Sequence, residues 1–135
     1  MNRHEQRELV FLLTFENIFT KYSLEEIKEN KLLLDACNEN DFNDFVIGYF
    51  KGITDNLSEI DEIIERNSLK WGKHRLSKVA TAILRLAVYE MKYRDDIPTN
   101  VAINEAVELS KKYGADKESA FINGLLGGIS REMNI

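Results

Sequence analysis

The residues that could do chemistry in this sequence are one cysteine, Cys37, two distant histidines, His4 and His74, and 23 acidic side chains. A covalent nucleophile needs a base beside it, and Cys37 has no histidine near it in sequence. One cysteine forms no internal disulfide, and the two histidines make no Cys/His zinc spacing with it. The run GLLGG at 124–128 follows no strand and leads to no Lys-Ser/Thr, so it is not a phosphate loop. No GxSxG is present. Acid pairs are common on helix surfaces, and nothing marks one here as catalytic. The sequence points away from an enzyme and implies no cofactor and no metal.

Electrostatic binding is the chemistry that remains. The net charge is −5, unevenly spread. Residues 23–69 hold four basic and twelve acidic side chains, whereas residues 70–94 hold seven basic and one acidic. The densest part is Lys70, Lys73, His74, Arg75 and Lys78. An acidic protein with one basic stretch can meet a polyanion locally. The plain alternative is a solvated helix face.

A third group of residues sits where a simple helical bundle would not need it. Arg85, Glu90, Asn104, Glu105 and Asn123 lie inside the apolar stripes of residues 75–129. A buried arginine must be paired, so Arg85 predicts a carboxylate beside it, with Glu105 and Glu90 as candidates.

The elements that position these residues are helical throughout. Residues 3–20 read as a helix with a wide apolar face at Leu9, Val10, Leu12, Leu13, Ile18 and Phe19. Its first turn projects Arg3, His4 and Arg7. Ser23, with Glu26 three residues on, forms a capping box and opens a second helix to about Asn38. Asn40 or Asp41 caps a third, whose core stripe is Phe42, Phe45, Val46, Tyr49, Phe50 and Ile53. Ser58 caps a fourth, with Asp61 in the capping-box position. Residues 67–74 read as a connector, with Trp71 plugging the edge of the core. A fifth helix runs from about Arg75 to Tyr93. Ile97 before Pro98 is extended, and Pro98 and Thr99 open a sixth, which ends at Gly114 as its C′ residue. The last spans about Asp116 to Arg131, with Gly127 and Gly128 weakening its end.

One domain, residues 1–135, follows from the length, and it can bury about 70% of its unfolded surface. At 44% hydrophobic and 30% charged residues the composition is that of a soluble globular protein. No run approaches the roughly 20 apolar residues of a membrane helix. The charged start MNRHEQRELV does not read as a signal peptide, so the expected compartment is the cytoplasm.

Three motifs, in order and closely spaced, resemble one family. They are LRLAVYEM at 84–91, DIPTNVAINEAVELSKKYG at 96–114 and FINGLL at 121–126. They match the patterns L-R-L-A-x-Y-E, D-I/V-P-x-x-V-A-I-N-E-A-x-E-L-A/S-K-x-F/Y-G and F-V/I-N-G-x-L of the NusB family of bacterial transcription antitermination factors. The lead-in W…RLSKV…AILRL at 71–86 fits as well. Residues 71–129 carry the resemblance. The first 70 match in length and helical layout, and only loosely in sequence.

The resemblance implies an all-α fold of about seven helices in two packed sub-bundles. It also implies binding of single-stranded boxA RNA in nascent ribosomal transcripts, together with the ribosomal protein NusE. Other Nus factors and RNA polymerase complete the assembly. Members of the family are monomers or dimers, so a homodimer is possible. Carried over residue by residue, the arginine-rich N-terminus falls on Arg3, His4 and Arg7. The aromatic eight positions after Arg7 is Phe15. The phenylalanine of F-V/I-N-G is Phe121, with Lys117 one turn before it, and these six are the implied RNA-binding residues. Glu90 falls in the region that meets the protein partner.

Each has a plain structural alternative. Phe15 and Phe121 read equally as core residues, Arg3 and Arg7 as solvated cations, and Glu90 as the i,i+4 partner of Arg94. The N-terminus also departs from the family, because Glu5 and Glu8 interleave with Arg3 and Arg7 and no basic arm precedes Arg3. Fewer phosphate contacts imply a shallower salt slope. RNA affinity then rests more on the partner protein or on the 70–78 basic cluster. A second reading is an all-helical protein–protein adaptor in ribosomal RNA synthesis or maturation, without direct sequence-specific RNA binding.

Overall fold

The computed structural model describes residues 1–33, 37–72, 76–114 and 117–135. Within them lie seven α-helices and no strand: α1 (Arg3–Thr20), α2 (Leu24–Leu33), α3 (Asp44–Asp55), α4 (Leu57–Lys70), α5 (Lys78–Tyr93), α6 (Thr99–Tyr113) and α7 (Glu118–Met133), with a 3₁₀ turn at Glu39–Asp41 before α3. The all-α expectation holds.

Central to the fold is α5. Its buried residues, Ala80, Ala82, Ile83, Leu84, Leu86, Ala87, Val88, Tyr89 and Met91 with Glu90, go almost all the way round the helix. A helix apolar all round has no face to offer water and must be enclosed. It packs against α1, α3, α4, α6 and α7, so the rest of the bundle is built around α5. Large side chains with essentially no exposure fill the space, among them Phe11, Leu13, Tyr49, Ile53, Ile60, Ile83, Leu84, Leu109, Ile122, Leu125 and Leu126. Each stabilises the fold by about 1.5–3 kcal/mol relative to an exposed position.

Capping explains where most helices start. Asn2 Oδ1 accepts from Glu5 N at 2.8 Å, and Glu5 Oε1 accepts from Asn2 N at 3.2 Å. Ser23 and Glu26 make the same reciprocal pair at α2, as their spacing predicted. Ser77 caps α5 by accepting from Ala80 N.

Other boundaries move, each for a local reason. The cap of α3 is Asn43, which accepts from Val46 N, rather than Asn40 or Asp41, which belong to the 3₁₀ turn. Ser58 is not a cap. Helix α4 begins at Leu57, directly after Asn56, whose side-chain amide instead donates to Gly52 O at the end of α3. Helix α4 also runs on to Lys70, so residues 67–70 are helix and not connector; Asn67 and Ser68 are buried. The expected end of α2 near Asn38 falls partly on residues 34–36, outside the described residues. Gly114 has extended backbone (φ −100°, ψ −178°), not the left-handed form. A Cβ there would lie 3.0 Å from Ser110 O, so space and not φ favours glycine. Helix α7 passes through Gly127 and Gly128 to Met133, since Ile122, Leu125, Leu126 and Ile129 bury the opposite face.

Arg85 is paired, but with neither expected partner. Its Nε and Nη2 donate to the two carboxylate oxygens of Asp61 on α4, both at 2.9 Å. Glu90 and Glu105 lie farther along and serve other cations. Trp71 does not plug the core: it is 52% exposed and rests on the outside of α7.

Candidate nucleic-acid interface

The first turn of α1 places Arg3, His4 and Arg7 very differently. Arg7 points inward and is 4% exposed. Its Nε lies 3.1 and 3.0 Å from the two oxygens of Glu90, which is 1% exposed on α5. The Tyr49 hydroxyl on α3 donates to the same carboxylate at 2.6 Å. Three helices are thus joined by one buried clasp. Burial pushes Glu90 above the usual glutamate range, against the opposing pull of Tyr49 and Arg7. Burial and the neighbouring carboxylate push the Tyr49 phenol far above its ordinary value.

In this structure Arg7 and Glu90 thus engage each other inside the protein. A buried ion pair carries a desolvation cost, which here a third donor, the Tyr49 hydroxyl, helps to offset. The i,i+4 alternative fails for Glu90, because Arg94 turns to Asp96, donating at 3.1 and 3.2 Å.

Arg3 and His4 remain at the surface. The Arg3 guanidinium lies 4.1 Å from the centre of the Phe45 ring, and Phe45 stacks on Tyr49 at 4.0 Å. His4 Nδ1 is 2.7 Å from Glu105 Oε2 on α6. No sequence signal links Arg3 with Phe45, since only the crossing of α1 and α3 brings them together.

Phe15 belongs to a row of rings along α1. Phe11 and Phe15 are 6.2 Å apart, Phe15 meets Phe19 edge-on at 5.2 Å, and Phe11 meets Tyr113 at 4.9 Å. Phe15 is half-buried, while Phe19 is 61% exposed. Glu8 ties this row to the end of α6, accepting from Lys112 Nζ at 2.8 Å and Tyr113 Oη at 2.7 Å. Burial alone would raise Glu8, but these two hydrogen bonds outweigh it and hold its pKa low.

Lys117 and Phe121 stand at the start of α7, where residues four apart share a face. Lys117 is exposed and Phe121 half-buried, and the Trp71 ring meets Phe121 edge-on at 6.1 Å. Glu118 accepts from Ser77 Oγ, so this end of α7 adjoins the start of α5. Arg7, by contrast, joins α5 at Glu90, thirteen residues on and about 20 Å away along the helix. The implied RNA-binding residues therefore fall into two groups. Since α1 runs parallel to α6, as His4–Glu105 and Glu8–Lys112 show, Phe15 points towards the Lys117 end. A single strand covers 20 Å with about six nucleotides at roughly 3.4 Å each. In the basic cluster, Lys70 and Lys78 are exposed, and Lys73, His74 and Arg75 lie outside the described residues.

Nothing in this arrangement favours bond-making chemistry. Burial, then Asp41, raises the Cys37 thiol, the opposite of an activated nucleophile. Among the described residues no group of three His, Cys, Asp or Glu side chains could hold a metal ion, and no helix is long and apolar enough to cross a membrane. Rings beside cations can stack bases and neutralise phosphates. Trp71 and Phe19 were missed as surface rings. Helical periodicity assigns an apolar side chain to a face, but not to the uncovered part of that face.

Comparison with known proteins agrees with the motifs. The model of the NusB family matches residues 4–131. The transcription antitermination protein NusB of Acetivibrio thermocellus is 46% identical over 129 residues, spanning 96% of this chain and 88% of that protein. The solved structure of T. maritima NusB superposes with a TM-score of 0.82 at 38% identity, over 98% of this chain and 92% of that one. A crystal structure of antitermination factors NusB and NusE in complex with dsRNA contains a chain that superposes with a TM-score of 0.79 at 26% identity, over 98% and 99% of the two chains.

Proposed function

The chain belongs to the NusB family of transcription antitermination factors, which are not enzymes, and from this premise we propose that it binds boxA RNA of nascent ribosomal transcripts together with the ribosomal protein NusE. In this reading the complex joins other Nus factors on RNA polymerase, in the cytoplasm. The observation that supports it best is the start of α7, where exposed Lys117 and half-buried Phe121 share one face. A cation there neutralises phosphate and a ring receives a base. Arg3, His4 and Phe15 extend the contact along α1. Arg7 and Glu90 act from inside, fixing the first turn of α1 against α3 and α5 so that Arg3 and His4 face outward.

The test is fluorescence anisotropy of a labelled boxA-like RNA, single-stranded, with this protein alone and with a NusE-type ribosomal protein. A scrambled strand and a duplex serve as controls. The expected result is selective binding of the boxA strand, tightened by the partner and weakened by Lys117→Ala and Phe121→Ala. Equal binding of both sequences, or none in either condition, would replace this reading with that of a protein–protein adaptor.

A further inference from the structure

We propose that Trp71 is a base-stacking residue of the RNA-binding surface, with Gly124 as its seat. This rests on the RNA-binding reading and adds to it a residue that lies within the matching lead-in but was given no role by the resemblance.

Tryptophan is the side chain with most to gain from burial, and it is highly buried on average. Trp71 is 52% exposed. It is nevertheless not loose. It follows the last residue of α4 with backbone at φ −91° and ψ 4°, and its N–H bonds back to Ser68 O at 3.0 Å. The benzo edge of the indole lies over the backbone of α7: a Cβ at Gly124 would fall 2.6 Å from both Cη2 and Cζ2. Any side chain at 124 would displace the ring. The Phe121 ring meets it edge-on at 90°, which fixes its tilt. An aromatic plane held from behind, with half its surface open, is preorganised for stacking, since little rotamer freedom is left to lose.

The surroundings favour a nucleic-acid strand. The exposed residues on either side of Phe121 are Lys117, just before α7, and Ala120 and Asn123 within it, basic, small and polar. An amphipathic helix would need an aliphatic row there. Lys70 precedes Trp71, and the sequence that follows holds Lys73, His74, Arg75 and Lys78, the densest positive charge in the chain. Stacking is sequence-tolerant, and basic residues in the same stretch of sequence make binding salt-dependent, so Trp71 adds affinity while other contacts select the sequence.

Trp71 is the only tryptophan, so a chain labelled with 5-fluorotryptophan gives one ¹⁹F resonance that reports on it alone. The boxA-like strand is titrated into the labelled protein with the unlabelled NusE-type partner, while anisotropy of the RNA measures binding in parallel. The expected result is a shift of the resonance that saturates with the anisotropy. Trp71→Ala should weaken binding about 10-fold, within the roughly 5- to 100-fold range of one lost stack, and Trp71→Phe should retain most of the affinity. Gly124→Ala, which evicts the ring without removing it, should weaken binding too, with circular dichroism unchanged. If RNA binds but the resonance stays still and Trp71→Ala binds as tightly as the parent, the role of Trp71 is refuted and RNA binding stands. A resonance that moves with the partner protein alone, and no further with RNA, assigns Trp71 to a protein contact and overturns the proposal. If the RNA does not bind at all, the functional reading fails and takes this inference with it.

Discussion

Glu90 keeps its carboxylate inside the protein because two donors share it. Removing water from a carboxylate and a guanidinium costs several kcal/mol per ion, and their attraction repays this only with good geometry and further hydrogen bonds. Here Arg7 reaches both oxygens and Tyr49 closes one of them. Glu90→Ala strands a buried cation and a phenol, and is expected to lower stability by about 3–5 kcal/mol, a large part of the total for a domain of this size. Replacing the three together, Arg7→Met with Tyr49→Phe and Glu90→Leu, leaves no polar atom stranded and should recover most of that loss. Urea unfolding measures both. A Glu90→Ala variant as stable as the parent would mean that the clasp holds nothing.

At the scale of elements, α3 carries a built-in comparison. A Cβ at Gly48 meets nothing within 4 Å, whereas one at Gly52 would lie 2.6 Å from Tyr89 Cζ and its hydroxyl oxygen on α5. Tyr89 cannot step aside easily, because it is 6% exposed and meets Tyr49 edge-on at 5.1 Å and Tyr93 at 5.8 Å. Gly48→Ala should therefore stabilise by about 0.5–1 kcal/mol through helix propensity alone. In Gly52→Ala the same gain is outweighed by overpacking, for a net loss of about 1–3 kcal/mol. Thermal melts of the two variants should move in opposite directions. A shift of the same sign in both would show that α3 and α5 separate without cost. The residue pattern made both glycines visible as interior positions of a helix, but only the crossing of two helices distinguishes them.

For the whole molecule, surface carboxylates tie the helices together. Glu8 joins α1 to α6, Glu59 joins α4 to Lys92 and Tyr93 on α5, and Glu132 joins α7 to Arg66 and Asn67 on α4. Asp96 holds the turn after α5 through Arg94. All four are held below their ordinary values. In Glu59 the hydrogen bonds from Lys92 and Tyr93 do this, in Asp96 the bond from Arg94, in Glu132 those from Asn67 and Arg66, and in Glu8 those from Lys112 and Tyr113 against burial. A carboxyl whose pKa is lower in the folded state stabilises the fold above its unfolded value, here 4.5 for Glu and 3.8 for Asp, and that contribution disappears as pH falls through the folded value. Glu90, raised by burial, runs the other way and offsets part of the loss. The urea midpoint should therefore fall between about pH 5 and pH 3, and less steeply in high salt, which screens exposed pairs. A midpoint that is level or rises over this range would contradict the assignment.

By itself, the sequence determined the helical class, the capping box at Ser23, the family, and the need of Arg85 for a carboxylate. These follow from period, local hydrogen bonding and the cost of a bare buried charge, all of which act over a few residues or on one side chain. Only the tertiary structure decided that the carboxylate is Asp61, that Arg7 is spent on Glu90 and Tyr49, that Arg3 lies on Phe45, and that Trp71 rides on Gly124. Each of these pairs residues from different helices. Periodicity says which face of a helix is apolar, but partners depend on how helices cross and on which part of each face another element covers.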